Sequence, residues 1–336
     1  MLDIHLGRSI VRVVIAGATG VLGRRLVRQL RSRGHEVVGL VRRPEGEEIV
    51  RSLGGEARRA DLFDAEALAR AAGRADVVIH AATAIPTGTK FDPAEWTAND
   101  RIRREGTQAL TRAAATLGAS LYLQQSIVWV AQPADGSPFD EDSPAHPEGV
   151  MRSALDGEQI ARDAGARHGF AVGVLRCGGF YAADAEHTRT LGRGLARRKI
   201  PIVGRGDAVM GLIHADDAAG AFVAATEAGH GGLWHIVDDE PAPVAALLTE
   251  LARHIGAPTP RHVPVWLARL FVGEHVVRQF TASVRTSNAR FRREVGWSPR
   301  YPTYREGLAE VVAAWRADGF IPAERAAGHR ARVARV

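Results

Sequence analysis

VRVVIAGATGVLG, residues 11–23, sets a nearly continuous apolar run against three glycines spaced three apart, Gly17, Gly20 and Gly23. Such a run fits a strand buried on both faces of a parallel sheet. The helical pattern VLGRRLVRQLRSRG (21–34) follows it directly and stops at a glycine. A strand, a glycine turn and a helix in that order form the context in which G-x-x-G-x-x-G binds a dinucleotide. Glycine permits a tight turn and lets backbone approach a pyrophosphate. The helix start supplies unpaired N–H groups and the positive end of its dipole. Gly17, Ala18, Thr19, Gly20, Val21, Leu22 and Gly23 are therefore expected to hold a dinucleotide.

The alternation continues outward from this turn. HEVVGLVRR (35–43), EARRADL (56–62), ADVVIHAAT (75–83), ASLYLQQSIVWV (119–130) and FAVGVLRCG (170–178) read as strands. Helical patterns stand between them, including one long helix over 93–117 and another over 150–168. Parallel neighbours need crossovers, and helices supply them on both faces. The expected class is α/β, a doubly wound parallel Rossmann sheet over residues 1–180 with a smaller, mostly helical C-terminal substrate lobe over 181–320, some interleaving, and a basic tail at 321–336. Within that lobe PIVGRGDAVMGLIH (201–214) suggests a short hairpin.

Composition narrows the function. The chain has 336 residues, 46% hydrophobic and 24% charged, which matches an ordinary globular protein rather than a disordered one. Its formal charge is +6, yet only Lys90 and Lys199 are lysines, and the arginines are scattered along helices beside acids. That pattern reads as solvated faces, not as a nucleic-acid surface. Cys177 is the single cysteine, so no intrachain disulfide or Cys-based zinc site is expected, and a reducing cytoplasm fits. No metal site is expected. No apolar run is long enough to span a membrane, and MLDIHLGRSI (1–10) reads as a short leader before the first strand.

The second strand ends in GLVRRP (39–44), where NAD-preferring sites usually carry an acid for the ribose hydroxyls. Arg42 and Arg43 stand there instead. They are either two surface arginines or a bidentate clamp for a 2′-phosphate. Their position favours the clamp, hence NADP, with NAD as the alternative.

GATGVLG, ADL (60–62), VVIHAAT (77–83), LQQSIVWV (123–130) and GLIHADDAAGA (211–221) stand in the order that resembles the extended short-chain dehydrogenases/reductases, the NAD-dependent epimerase/dehydratase group. The resemblance covers about 11–318. It implies that Asp61 and Leu62 lie near adenine, that Ala81, Ala82 and Thr83 run beneath the cofactor, and that Ser126 takes the place of the family's catalytic Ser or Thr. It also implies a homodimer through the helices at 93–117 and 150–168.

One stretch departs from the family. Its usual motif is Tyr, three residues, Lys, with a Glu four residues further on. In GVMRSALDGEQIAR (149–162) Glu158 fixes the register, so Val150 takes the Tyr position and Ala154 the Lys position. The family's Asn, three residues before a Gly-Thr pair, falls on Arg103. This is an atypical member. A positioned acid–base group contributes roughly two to four orders of magnitude in rate, and Val and Ala cannot supply it.

Other groups are candidates for the missing chemistry. Tyr181 follows the sixth strand at the sheet edge where ligands bind, and is either a proton donor or a packing aromatic. Cys177 follows the sixth strand and either faces the nicotinamide or is an inert small side chain, since nothing adjacent in the sequence would lower its pKa. Val150, Ala154 and His214 are expected to line the substrate pocket. Asp216 and Asp217 are expected to cap a helix, Asn99 to substitute in part for the lost Asn, and FDEDSPAHPEG (139–149) to be a solvated loop. Trp129, Trp234 and Trp266 are expected in the core or on pocket walls. The reading is an NADP(H)-dependent oxidoreductase of a small-molecule carbonyl or conjugated alkene with a non-standard proton donor. A redox-neutral isomerase, epimerase or lyase, and a non-catalytic dinucleotide sensor, are the alternatives.

Overall fold

The computed structural model describes residues 10–86 and 92–322. The short leader and residues 323–336 of the basic tail lie outside the described residues. In chain order the first half comprises β1 (Arg12–Ala16), α1 (Val21–Ser32), β2 (Glu36–Val41), α2 (Pro44–Ser52), β3 (Glu56–Arg59), α3 (Ala65–Ala72), β4 (Val77–His80), α4 (Thr97–Arg101), α5 (Thr107–Thr116), β5 (Leu121–Ile127), α6 (Arg152–His168) and β6 (Ala171–Cys177). The second half comprises β7 (Gly179–Tyr181), α7 (Glu186–Ala196), β8 (Ile202–Val203), β9 (Val209–Met210), β10 (Leu212–His214), α8 (Ala215–Ala228), β11 (Gly232–Ile236), β12 (Ala242–Pro243), α9 (Val244–His254), β13 (His262–Val263), α10 (Val265–Thr281), α11 (Ala289–Val295) and α12 (Tyr304–Ala317).

Seven parallel strands form the central sheet in the order β11-β6-β5-β4-β1-β2-β3. The order reverses beside β1, and a crevice at such a reversal is where doubly wound sheets bind ligands. The inner strands β1, β2, β4 and β5 bury both faces, which is why the sequence shows runs rather than alternation there, while β3 at the edge exposes Arg58 and Arg59. One face packs Val13, Ile15 and Ile79 with Leu26 and Leu30 of α1 and Phe222 of α8. The other packs Val14, Val78 and Tyr122 with Leu110 of α5 and Ala161 of α6. The seventh strand comes from beyond residue 180, since α8 lies on α1 and carries the chain to β11. A separate core gathers Tyr181, Leu248, Leu308 and Trp315 under the C-terminal helices.

Two expectations change. The long helix over 93–117 is broken into a 3-10 turn at Pro93–Trp96, α4, a π turn at Ile102–Gly106, and α5. The Thr107 hydroxyl donates to the Arg103 carbonyl at 2.7 Å within that widened turn. Gly157 of α6 lets the two helices meet here, because a Cβ on it would stand 2.8 Å from the Arg103 carbonyl oxygen. The hairpin over 201–214 does not form. β8 pairs with β13, β9 with β12 and β10 with β7. Gly204 and Gly206 take positive φ, 62° and 67°, and send the chain between strands of only two or three residues toward separate partners.

Candidate functional site

The glycine turn divides its labour. Gly17 has φ +87°, and a Cβ on it would stand 2.5 Å from the Ala82 nitrogen. A Cβ on Gly23 would stand 2.0 Å from the Gly17 oxygen. Both glycines are demanded by the protein itself. Gly20 is not: its nearest obstacle is the Gly17 oxygen at 3.4 Å, and it is exposed. It caps α1 with no side-chain hydrogen bond, and the first turn of α1 carries no acid. The N–H end of the helix is thus left free over open space, a cradle that fits a pyrophosphate.

The other residues expected at the cofactor lie around this turn and along the neighbouring strand ends. Ala18 and Leu22 are buried beneath it, with Thr19 and Val21 half-buried. The Ala81 N–H donates to the Ala16 carbonyl at 2.9 Å, so the end of β4 runs beside the turn with Thr83 exposed. Arg42 and Arg43 follow β2, both exposed. Neither joins an ion pair among the described residues, whereas Arg25 is shared between Asp184 and Asp216 and Arg12 between Glu36 and Glu56. Asp61 is exposed at the end of β3, its carboxylate accepting from the Phe63 N–H at 3.0 Å. Leu62 lies against Gly106.

The groups expected to carry protons face inward. Ser126 is buried on β5, and its hydroxyl donates to Glu158 at 2.5 Å. Glu158 also accepts from Arg176 Nε and Nη2, each at 2.8 Å, and from Arg162 at 3.2 Å. This triad of Ser126, Glu158 and Arg176 ties β5, α6 and β6 together. An arginine inside the otherwise apolar run FAVGVLRCG was the available sign of a buried carboxylate partner.

Tyr181 donates its hydroxyl to Asp238 at 2.9 Å in the lobe core, and burial with the Asp238 charge raises its pKa. His214 is wholly buried between Tyr181 and Tyr301, with Nε2 3.1 Å from Glu310. Cys177 does not line the cofactor crevice. It lies in the sheet core with its Sγ 3.6 Å from the Leu175 carbonyl, and burial pushes the thiol up. The reason is strand alternation: Leu175 and Cys177 point to the α1 face, and Arg176 to the α6 face.

At the family's Tyr and Lys positions the wall is apolar. Val150 is half-buried in a 3-10 turn before α6. Ala154 is only 4% exposed and packs with Ile127 and Val130. Trp129 lies half-buried between this cluster and one formed by Phe139 and Val237. Trp234 is in the core, but Trp266 is 64% exposed and walls nothing. Asn99 accepts from the Ala84 N–H at 3.0 Å, holding the loop after β4. His214, not Asp216 or Asp217, caps α8, accepting from the Asp216 N–H at 3.3 Å. Asp217 instead receives the backbone of Arg300 and Tyr301. Glu141, in the loop expected to be solvated, is buried and accepts from the His235 N–H at 2.8 Å.

Among the described residues no His, Cys, Asp and Glu cluster suits a metal ion, and no helix is long and apolar enough to cross a membrane.

Sheet order, glycine turn and crevice define a nicotinamide-dinucleotide-binding α/β protein. The chain belongs to the NAD dependent epimerase/dehydratase family, whose description matches residues 13–236. It is 37% identical over 313 residues to the 3-diazoavenalumate denitrifying reductase of a Streptomyces species, spanning 89% of this chain and 99% of that one. It is 26% identical over 325 residues to a 4-hydroxy-2-methyl-3-oxo-4-farnesyl-3,4-dihydroquinoline-1-oxide ketoreductase of Stigmatella aurantiaca, spanning 89% and 95%. The fold is similar to that of human epimerase family protein SDR39U1 with NADPH, with a TM-score of 0.75 and 20% identity over 90% of this chain and 99% of that one. It is also similar to the dTDP-glucose 4,6-dehydratase DesIV of Streptomyces venezuelae with NAD, with a TM-score of 0.75 and 22% identity over 93% and 99%. NADP, with NAD as the alternative, is consistent with this family.

Proposed function

We propose that this chain is an NADPH-dependent reductase that delivers hydride to a small electrophile without a protein proton donor, and that an aromatic diazo compound is its substrate class. One observation carries the reading. The proton-donor candidates of the sequence are engaged elsewhere: Ser126 with Glu158, Tyr181 with Asp238 and His214 with Glu310, while Ala154, at the family's Lys position, packs in an apolar cluster. A carbonyl or an alkene must gain a proton as well as a hydride. An arenediazonium ion need not. Hydride supplies the electron pair of the new C–H bond, the C–N bond breaks with its pair going to dinitrogen, and NADPH becomes NADP⁺. The 37% identical relative, named for removing nitrogen from a diazo compound, supports this chemistry.

The chain's own residues have limited tasks in such a reaction. Gly20 and the start of α1 would hold the pyrophosphate, and Arg42 and Arg43 would take the 2′-phosphate. Val150 and Trp129 would exclude water from the reacting carbon. The cofactor supplies the hydride chemistry when bound.

The test is NADPH oxidation against a panel of an ortho-diazophenol, an aryl aldehyde and an aryl enone, each corrected for the protein-free rate. Turnover of the diazo compound with release of dinitrogen, and little with the others, is expected. Preferential turnover of the aldehyde or enone would return the chain to carbonyl or alkene reduction with a donor elsewhere, the chemistry of the ketoreductase relative.

A further inference from the structure

Arg103, at the altered site, is a buried arginine that forms no salt bridge among the described residues. It is 6% exposed, in the π turn under α6. Its Nη1 donates to the Val150 carbonyl and the Ser153 hydroxyl, both at 3.3 Å. Among the described residues Nε and Nη2 donate to nothing, and no carboxylate lies within ion-pair distance of the guanidinium. The neighbouring arginines are treated differently: Arg104 and Arg152 share Asp156, at 2.8 and 3.2 Å. A guanidinium has five donors in a rigid fork, and burying it without an anion is costly. Burial, with Arg104 adding to it against the pull of Asp100, draws its pKa down to about 10, and it remains a cation at neutral pH.

The second observation is the helix that Arg103 reaches. α6 runs 17 residues, Arg152–His168. Neither its start nor the 3-10 turn before it has a side-chain cap, and its first turn holds no acid. The positive end of the helix dipole and an unanswered guanidinium therefore meet at Val150. Two positive features at one point on an apolar wall select an anion with a planar fork of oxygens and a hydrophobic body.

We propose that Arg103, with the start of α6, binds a carboxylate group of the substrate, so that the substrate class is an aromatic or conjugated carboxylic acid. This rests on the functional reading above for the placement of the substrate along Val150 and Trp129. Arg103 acts as a specificity residue: it anchors the substrate remote from the carbon that receives hydride. Its contribution is the same in ground and transition states, so it acts on KM rather than kcat.

The test is calorimetric binding of 4-hydroxycinnamate and 4-hydroxycinnamamide to the full chain in the presence of NADP⁺. The wild type is expected to prefer the carboxylate. Arg103→Gln, which keeps hydrogen-bonding capacity but not charge, is expected to lose about tenfold or more in carboxylate affinity, the range of a charge-assisted hydrogen bond. Affinity for the amide and for NADP⁺ is expected to stay the same. Arg103→Lys, a milder change, should retain part of the preference. If Arg103→Gln does not fold, the Lys variant and the wild-type preference still decide. Equal wild-type affinity for acid and amide overturns the proposal, as does an undiminished preference in both variants. Because binding is read without turnover, carboxylate selection that depends on Arg103 in a chain inactive on diazo compounds would leave this inference standing and remove the reaction.

Discussion

Ala154→Lys restores one residue of the family's usual pair, and the structure says that this chain should resist it. Ala154 sits on α6 with Ile127 and Val130 packed on it and Trp129, Met151 and Leu155 at its flanks. Forcing three added carbons and a nitrogen into such packing costs about 1–3 kcal/mol. The new ammonium would reach toward Glu158, one turn further along α6, whose carboxylate already accepts from Ser126, Arg162 and Arg176; it would enter a surround that is cationic on balance, adding roughly 1–3 kcal/mol for an unsatisfied buried polar group. Unfolding entropy of about 2.1 cal/mol/K per residue gives roughly 0.7 kcal/mol/K for this chain, so a loss of about 2–6 kcal/mol lowers Tm by about 3–9 °C. The assay is thermal unfolding of wild type and variant at pH 7 and pH 9. The inserted lysine would be held neutral in the fold and protonated in the unfolded chain. Its folded pKa is thus depressed, the penalty shrinks as pH rises toward the ordinary lysine value, and the gap in Tm should be smaller at pH 9. An unchanged Tm at both pH values, together with new carbonyl reductase activity, would refute the packed apolar wall.

Gly20→Asp should abolish dinucleotide binding by calorimetry while leaving Tm unchanged, since a Cβ there meets only the Gly17 oxygen; Gly23→Ala should lower Tm because its Cβ would clash with backbone. Replacing Arg42 and Arg43 by Ser should weaken NADPH by about 1–3 kcal/mol and leave NADH unchanged, the scale of a charge-assisted phosphate contact; equal losses for both cofactors would discharge the clamp. Acidification should destabilise the fold. Burial lowers His80 to about 4 and His235 to about 3, with nearby Arg103 and Arg176 adding to each respectively. Unfolding raises both back to about 6.5 and takes up two protons, so stability falls as pH drops from about 6.5 towards those values. Denaturant midpoints at pH 7 and pH 5 should differ, and His235→Gln should reduce the difference.

The strand-glycine-helix stretch made the sheet legible, because burial on both faces writes itself as apolar runs and the turn needs its glycines. The cofactor crevice followed from the same signal. The π turn at Ile102–Gly106 was not legible, since it arises from the approach of α6 at Gly157, a contact fifty residues away in sequence. The inward turn of Ser126 was hidden for a like reason: its partner Glu158 had been used only to set a register, and Arg176 passed as part of a strand. Cys177 was misplaced by one step of strand alternation, which a sequence without its sheet register does not fix. The two-residue strands of the lobe carry too little pattern to show their partners.

The central claim is hydride transfer completed without a protein-supplied proton. Its most direct measurement is single-turnover reduction of an ortho-diazophenol by NADPH deuterated at the transferred position, run in H₂O and in D₂O. The account predicts deuterium from the cofactor at the carbon that lost nitrogen, a primary isotope effect from the cofactor, and no solvent isotope effect on the rate. Deuterium arriving at that carbon from D₂O, or a rate that falls in D₂O, would contradict it.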